Sequence, residues 1–284
     1  MACAYCYHSD KENLPFRQAF MAKETAFKIV TQAAEAGVHS LKFNWKGEST
    51  LNPHYRAITE HAKSLARGST FIDRLANSNF KIHPAKREDV FHGLAALTKV
   101  KVSYDSFRKE VFETQRAQGD HALTSRNIDM FYNHPARIKS ETRLVIQAVR
   151  TKLNADEDIA GLCQKRWPEA EISIRDMVAG RVENDKVEAL EARSRDTSER
   201  QSCLQAHVRI IFNHAGRAFP CCPDVKEELM IGDINKQSLV EIFRGHYAEK
   251  LRDDLRSGEA FKLDPCKGCS SFETYKGFKP KWES

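Results

Sequence analysis

The chain has 284 residues, 41% hydrophobic and 30% charged, and its 45 Lys and Arg against 39 Asp and Glu leave a formal charge of +6. That composition belongs to a folded chain with a core and excludes disorder and collagen-like repeats. Mean hydropathy is -0.57, and no apolar run approaches the ~20 residues a membrane helix needs.

A helix is predicted from Lys23 to Ala36, ended by Gly37, and then a strand from Ser40 to Trp45. A helix from about Pro53, a short strand Phe71–Leu75, a helix Ala85–Leu97 and a strand Val100–Tyr104 follow. A helical stretch over Asn127–Tyr132 leads to the strand Arg143–Val149, a helix Asp156–Lys165 and the strand Glu171–Asp176. This alternation predicts an α/β domain with a parallel sheet or barrel over residues 1–180. Residues 181–200 are dense in charge and poor in apolar side chains, which predicts an exposed linker or solvated helix. A smaller domain then occupies 201–284, with a hairpin, Val208–Phe212 and Ala218–Cys221 around the turn Asn213-His214-Ala215-Gly216, and a helix Ser238–Leu255.

The opening Met1-Ala2-Cys3-Ala4-Tyr5-Cys6 lacks the basic-then-apolar order of a secretory signal, so a cytoplasmic address is expected. Positive charge is spread without a block, so no nucleic-acid partner is expected and the excess reads as solubility, with an anionic substrate the weaker option; the lack of an apolar run leaves no membrane partner expected. The eight cysteines are grouped by spacing. Cys3 and Cys6 form one CxxC and Cys266 and Cys269 another, Cys221 and Cys222 are adjacent, and Cys163 and Cys203 stand apart. In a reducing compartment such spacing points to metal centres rather than a disulfide scaffold. Zinc, a redox dithiol or an iron-sulfur cluster each suit a CxxC.

Cys3-Ala4-Tyr5-Cys6 resembles the last two-thirds of the CxxxCxxC loop of the radical S-adenosylmethionine (SAM) enzymes, whose first cysteine falls two positions before Met1 in this register. A start assigned too late is the expectation, with His8 as an alternative ligand. Lys46-Gly47-Glu48-Ser49 resembles the family's Gly-Gly-Glu-Pro motif, with Lys46 and Ser49 departing from it. The resemblance implies that Gly47 and Glu48 hold the SAM ammonium: glycine admits a close backbone approach and a carboxylate accepts from a cation. It also makes Asn77, at a third-strand turn, Ser103, at the end of the fourth strand, and Arg116, in an Arg-x-x-Gly stretch ending at Gly119, candidate SAM ligands. Arg143, Gln147, Arg175 and Asp176 are expected near the mouth of a barrel, where such folds keep their chemistry.

Cys203, Gly216 and Cys221, then Ile231-Gly232-Asp233-Ile234 and Ser238-Leu239-Val240-Glu241-Ile242, then Cys266 and Cys269, resemble the SPASM or twitch auxiliary-cluster domain of the same enzymes. The resemblance implies a partial TIM-like (β/α)6 barrel lacking its first strand, plus a small C-terminal α+β iron-sulfur domain. It implies a SAM-binding 4Fe-4S cluster on Cys3 and Cys6, an auxiliary 4Fe-4S cluster on Cys203, Cys221, Cys266 and Cys269, and SAM itself. Asp224 is a candidate proton acceptor in catalysis, against the alternative of a turn-forming Pro-Asp. Cys222 is the alternative to Cys221, which the Gly-x-x-x-x-Cys spacing favours, and Cys163 is expected to be a buried structural cysteine. The implied activity is reductive cleavage of SAM to a 5'-deoxyadenosyl radical that takes hydrogen from a small-molecule or peptide substrate, with an electron donor such as flavodoxin or ferredoxin. The alternative is a non-catalytic iron-sulfur or zinc protein descended from that fold.

Overall fold

The computed structural model describes residues 2, 3, 6, 19–177, 203–267 and 269, which divide into two compact units. The first holds 22–177 with Ala2, Cys3 and Cys6; the second holds 203–267 with 19–21 and Cys269. The charged run 181–200 and His8 lie outside the described residues.

The first unit starts with a short strand β1 (Ala2–Cys3) and continues through α1 (Lys23–Glu35), β2 (Ser40–Lys42), α2 (Tyr55–Ser64), β3 (Asp73–Ser78), α3 (Arg87–Ala95) and β4 (Lys99–Ser103). Then come α4 (Lys109–Gln115), β5 (Arg116–Ala117), α5 (His121–Tyr132), α6 (Pro135–Ser140), β6 (Arg143–Arg150), α7 (Ile159–Arg166) and β7 (Glu171–Asp176). Five strands form one parallel sheet in the order β2-β3-β4-β6-β7, the partial barrel expected without a first strand. Helical periodicity is plain in α1, which buries Ala26, Val30 and Ala33 on one face. Side-chain caps set other starts: Asp120 accepts from the Leu123 N–H at α5, and Asp158 from the Gly161 N–H at α7.

Strand alternation separates the two faces of this sheet. Ala76, Val100, Val102, Leu144, Ile146 and Ala148 face the helices and are buried in one cluster with Phe80, Phe91 and Phe131. Each such large apolar side chain contributes roughly 1.5–3 kcal/mol on burial. The intervening residues, among them Asn77, Lys101, Ser103, Gln147 and Arg175, share the other face through the registers Asn77↔Lys101, Ser103↔Gln147 and Val149↔Arg175.

Several boundaries differ from the sequence expectation. The third strand runs Asp73–Ser78, not Phe71–Leu75, because Phe71 takes a left-handed turn (φ 54°) and is fully buried. β2 stops at Lys42, but the Phe43 N–H still donates to the Leu75 carbonyl and the Asn44 side chain accepts from the Asn77 N–H (3.0 Å), so side chain replaces backbone in the ladder. Arg143 opens β6 and pairs with Glu171 at 3.2 Å, at the end of the sheet opposite the mouth where it was expected.

The second unit contains α8 (Leu204–Val208), β8 (Ile211–Phe212), β9 (Arg217–Phe219), β10 (Gly232–Asp233), α9 (Leu239–Phe243), α10 (His246–Arg256) and α11 (Asp264–Lys267). The antiparallel order is β10-β9-β8. The hairpin forms around the predicted turn but with shorter strands: Val208 ends α8, so the first strand starts at Ile211, and the second runs Arg217–Phe219 and stops before Cys221. The predicted long helix is broken: a Cβ at Gly245 would meet the Glu241 carbonyl oxygen at 2.6 Å, and the chain restarts there as α10.

Candidate functional site

At the carboxyl end of β2 the chain turns through Gly47, whose φ of +76° suits glycine, into Glu48, which caps the short helical turn Ser49–Leu51. One Glu48 oxygen accepts from the Thr50 hydroxyl (2.7 Å); the other accepts from the Asn79 N–H (2.7 Å) just past β3. The carboxylate therefore ties the β2 loop to the β3 loop. Burial pushes its pKa up, against the hydrogen bonds from Asn79, Thr50 and Ser78. The resemblance gave this side chain a ligand role only, and the bridge to Asn79 is a feature that sequence spacing does not reveal. Lys46, where the family has glycine, lies 4.1 Å from the Trp45 ring centroid as a cation-π pair.

Asn77 ends in a buried acceptor: its Oδ1 has no hydrogen-bond partner, and the hydroxyls of Ser49 and Tyr55 are buried without one too. Buried polar atoms are normally satisfied, so an orphaned acceptor at a strand end fits a donor-bearing ligand such as the ammonium or adenine amino group of SAM. Ser103, the last residue of β4, shares the inward face with Asn77.

Cys3 is held by an element the sequence did not reveal. β1 pairs antiparallel with β5, with Cys3 opposite Arg116, and the Cys6 N–H closes a turn onto the Cys3 carbonyl. The Arg116 guanidinium donates to the Cys3 sulfur at 3.6 Å and is anchored by Asp105, Nη2 to Oδ1 at 2.9 Å and Nε to Oδ2 at 2.8 Å. Both charges are buried. Asp105 also accepts from the Val149 N–H, while the Asn154 amide holds the Asp105 carbonyl. Arg116 is thus fixed from beneath, and Gly119 donates back to the Arg116 carbonyl to close the Arg-x-x-Gly turn. A cation beside thiolates suits a metal-sulfur centre, so Cys3 and Cys6 with Arg116 fit one side of a cluster.

In the second unit Cys221 is mostly buried among Cys203, Cys266 and the Asp224 carboxylate, all close enough to act on it electrostatically, and burial first among these pushes its thiol pKa up. The Asp224 backbone N–H donates to its sulfur. The Cys269 N–H donates to the Cys266 carbonyl. Such a set of thiols, with a backbone donor on sulfur, fits a thiolate-ligated cluster. Cys222 is exposed and lies 3.9 Å from Arg209; Cys163 is in the first unit's core, its thiol pushed up to about 12 by burial. The Asp224 carboxylate is buried and accepts from the Glu228 and Leu229 N–H groups, both at 2.9 Å, which is the work of a turn.

The motif after β9 has a steric origin. A Cβ on Gly232 would lie 2.7 Å from Ile242 Cγ2, so glycine there lets α9 pack on β10. Ser238 and Glu241 form a reciprocal capping box at the start of α9.

Glu88, His92 and His134 also gather on the surface of α3 and α6, their ligand atoms within 4.8 Å. His134 Nδ1 accepts from the Ala136 N–H, so its Nε2 carries the hydrogen and faces Glu88. In that tautomer His134 donates a hydrogen bond to Glu88 rather than offering a metal ligand, and both histidines hold the Glu88 carboxyl below its ordinary range.

With this geometry in place the chain can be compared with known proteins. Residues 203–270 match a family model described as SPASM, an iron-sulfur cluster-binding domain. The structure of anSMEcpe with bound AdoMet aligns with a TM-score of 0.64 at 14% identity, over 96% of this chain and 84% of that one. The chain has the radical SAM fold with a C-terminal SPASM domain. BtrN in complex with AdoMet and 2-DOIA gives a TM-score of 0.59 at 15% identity, over 97% and 92% of the two chains. Streptococcus suis SuiB gives 0.64 at 13%, over 95% and 69%. No curated protein sequence matches. No helix among the described residues is long and apolar enough to cross a membrane.

Proposed function

We propose that this radical SAM, SPASM-bearing chain reductively cleaves SAM and uses the product to oxidise or otherwise modify a peptide or small molecule. The observation that carries the reading is the orphaned Asn77 acceptor, at the same end of the sheet as the Glu48 loop and Ser103. When bound, the clusters and SAM supply an electron and a 5'-deoxyadenosyl radical that removes a substrate hydrogen. The chain's own residues do the binding and orienting. Gly47 lets the backbone approach the ligand, and Glu48 fixes that loop against Asn79 while leaving carbonyls to accept from an ammonium. Asn77 and Ser103 complete a polar wall, and Arg116 steadies Cys3, to which the Cys6 N–H is turned. Cys203, Cys221, Cys266 and Cys269 hold the auxiliary cluster, with Asp224 as its positioning residue: its N–H meets Cys221 and its carboxylate fixes the following turn. An electron donor of the flavodoxin or ferredoxin kind supplies reduction. Solved relatives of this fold include anSMEcpe with AdoMet and the Cp18Cys peptide, and BtrN with the small molecule 2-DOIA, so both substrate types accord with the reading.

SAM binding to the iron-loaded protein tests it. Asn77→Ala and Ser103→Ala are each expected to cost about 0.5–1.5 kcal/mol, the net value of a hydrogen bond, and Glu48→Ala more, because it also frees the β2 loop. Unchanged affinity in all three variants overturns the assignment.

A further inference from the structure

The inward face of the parallel sheet carries an imbalance of charge. Lys99 and Arg143, at its lower edge, both engage Glu171, each at 3.2 Å. One step higher on the same face stands Lys101, in register with Asn77 on one side and Val145 on the other. Arg175 shares that face through its register with Val149. Glu171, the carboxylate that bears on Lys101, is already shared by two cations, and no ion pair of Lys101 or Arg175 forms among the described residues. Lys99, Arg143 and Lys101 thus stand around the Glu171 carboxylate on a surface opposite the apolar core, and Arg175, four residues further along β7 on the same face, is near enough to act on Lys101.

We propose that Lys101 and Arg175 bind an anionic oxygen group of the substrate, a carboxylate or a phosphate, against the inward face of the sheet. The inference rests on the radical SAM reading of that face and names the substrate class it serves. Lys101 is partly buried, and desolvation together with the nearby Arg175 and Lys99 holds its ammonium below the ordinary lysine range. The half-buried Lys101 and the exposed Arg175 repel one another, and an anion between them removes the repulsion. Arg175 offers a planar fork suited to a carboxylate or phosphate, and Lys101 a point charge. Ser103 and Gln147, in register one step above Lys101, complete a polar lining from which the substrate's reacting end extends toward the SAM site.

The test is calorimetric titration of anaerobically purified, iron-loaded protein with inorganic phosphate and, separately, with succinate, alongside SAM. Wild-type protein is expected to saturate with at least one anion. Lys101→Met and Arg175→Met are expected to weaken that binding tenfold or more with iron content and SAM affinity unchanged, while the exposed control Lys139→Met changes nothing. Tighter binding of phosphate assigns a phosphorylated substrate, and tighter binding of succinate a carboxylate. Absence of saturable binding, or equal binding in Lys101→Met and Arg175→Met, overturns the proposal. Loss of SAM affinity in the same variants also overturns it, by assigning these cations to the SAM carboxylate. If wild-type protein binds no SAM yet its anion binding depends on Lys101 and Arg175, the anion site stands and the SAM reading fails.

Discussion

The two cysteine-bearing regions are built on different physics. Cys3 is steadied by charge: Arg116 reaches its sulfur and is itself locked by Asp105, both ions withdrawn from water. Cys221 is steadied by burial and backbone, with the Asp224 N–H on its sulfur and the Asp224 carboxylate spent on the next turn. A charge-built site fails when one partner is removed, since a buried ion is left alone. A site built on burial and packing fails when its shape is changed.

The largest expected effect separates ligands from neighbours in the second region. Cys203→Ala, Cys221→Ala, Cys266→Ala and Cys269→Ala are each expected to lose the auxiliary cluster, about four iron atoms, by iron analysis of anaerobic protein. Cys222→Ala and Cys163→Ala are expected to keep it. Equal loss from Cys222→Ala and Cys221→Ala would remove the distinction drawn between them.

Next comes the buried ion pair of the first region. Asp105→Ala strands the Arg116 guanidinium and is expected to cost about 3–5 kcal/mol in chemical denaturation. The double variant Asp105→Ala/Arg116→Leu is expected to recover part of that loss. Additive effects would show that the two residues do not act as a pair.

The second region answers to shape. Gly232→Ala drives a methyl group into Ile242 and is expected to cost about 1–3 kcal/mol, and Ile242→Ala in the same chain should relieve much of the strain. Two costs that simply sum would mean that the glycine is there for another reason.

The smallest effect is a slope with pH. Because the folded Glu48 carboxyl titrates above its ordinary value of 4.5, the folded state holds its proton longer than the unfolded state does. Its contribution is complete below the ordinary value and is lost as pH rises through the raised one. Glu48→Gln should flatten that part of the stability profile, and an unchanged profile would assign the slope to other groups.

Much of this was legible in the sequence. The β-α alternation gave the parallel sheet, because strand and helix periods differ and Gly37 punctuates the first helix. The SPASM domain was legible as a resemblance, carried by Cys203, Gly216, Cys221, Cys266 and Cys269 with the stretches at Gly232 and Ser238–Ile242, and the structure gives Gly232, Ser238 and Glu241 local steric and capping roles. What stayed hidden was long-range. Nothing near Cys3 announces a strand partner at Arg116, and nothing near Asp105 announces an ion pair eleven residues on and a hold on the Val149 N–H. Lys101 escaped for a related reason: that it shares a face with Arg175, which was expected near the mouth, is decided only by register. Asp224 stayed open between a proton acceptor and a turn residue because its partners, the Glu228 and Leu229 N–H groups, are backbone and leave no mark on composition.

One measurement bears most directly on the central claim. The protein, extended so that a cysteine stands two positions before Met1, would be iron-loaded anaerobically and given SAM and a strong reductant. The account predicts release of 5'-deoxyadenosine even without the true substrate, and its reduction in Asn77→Ala and Glu48→Ala. Iron-loaded protein that yields no deoxyadenosine, with SAM binding the same in the variants, would contradict it and leave an iron-sulfur scaffold without this chemistry.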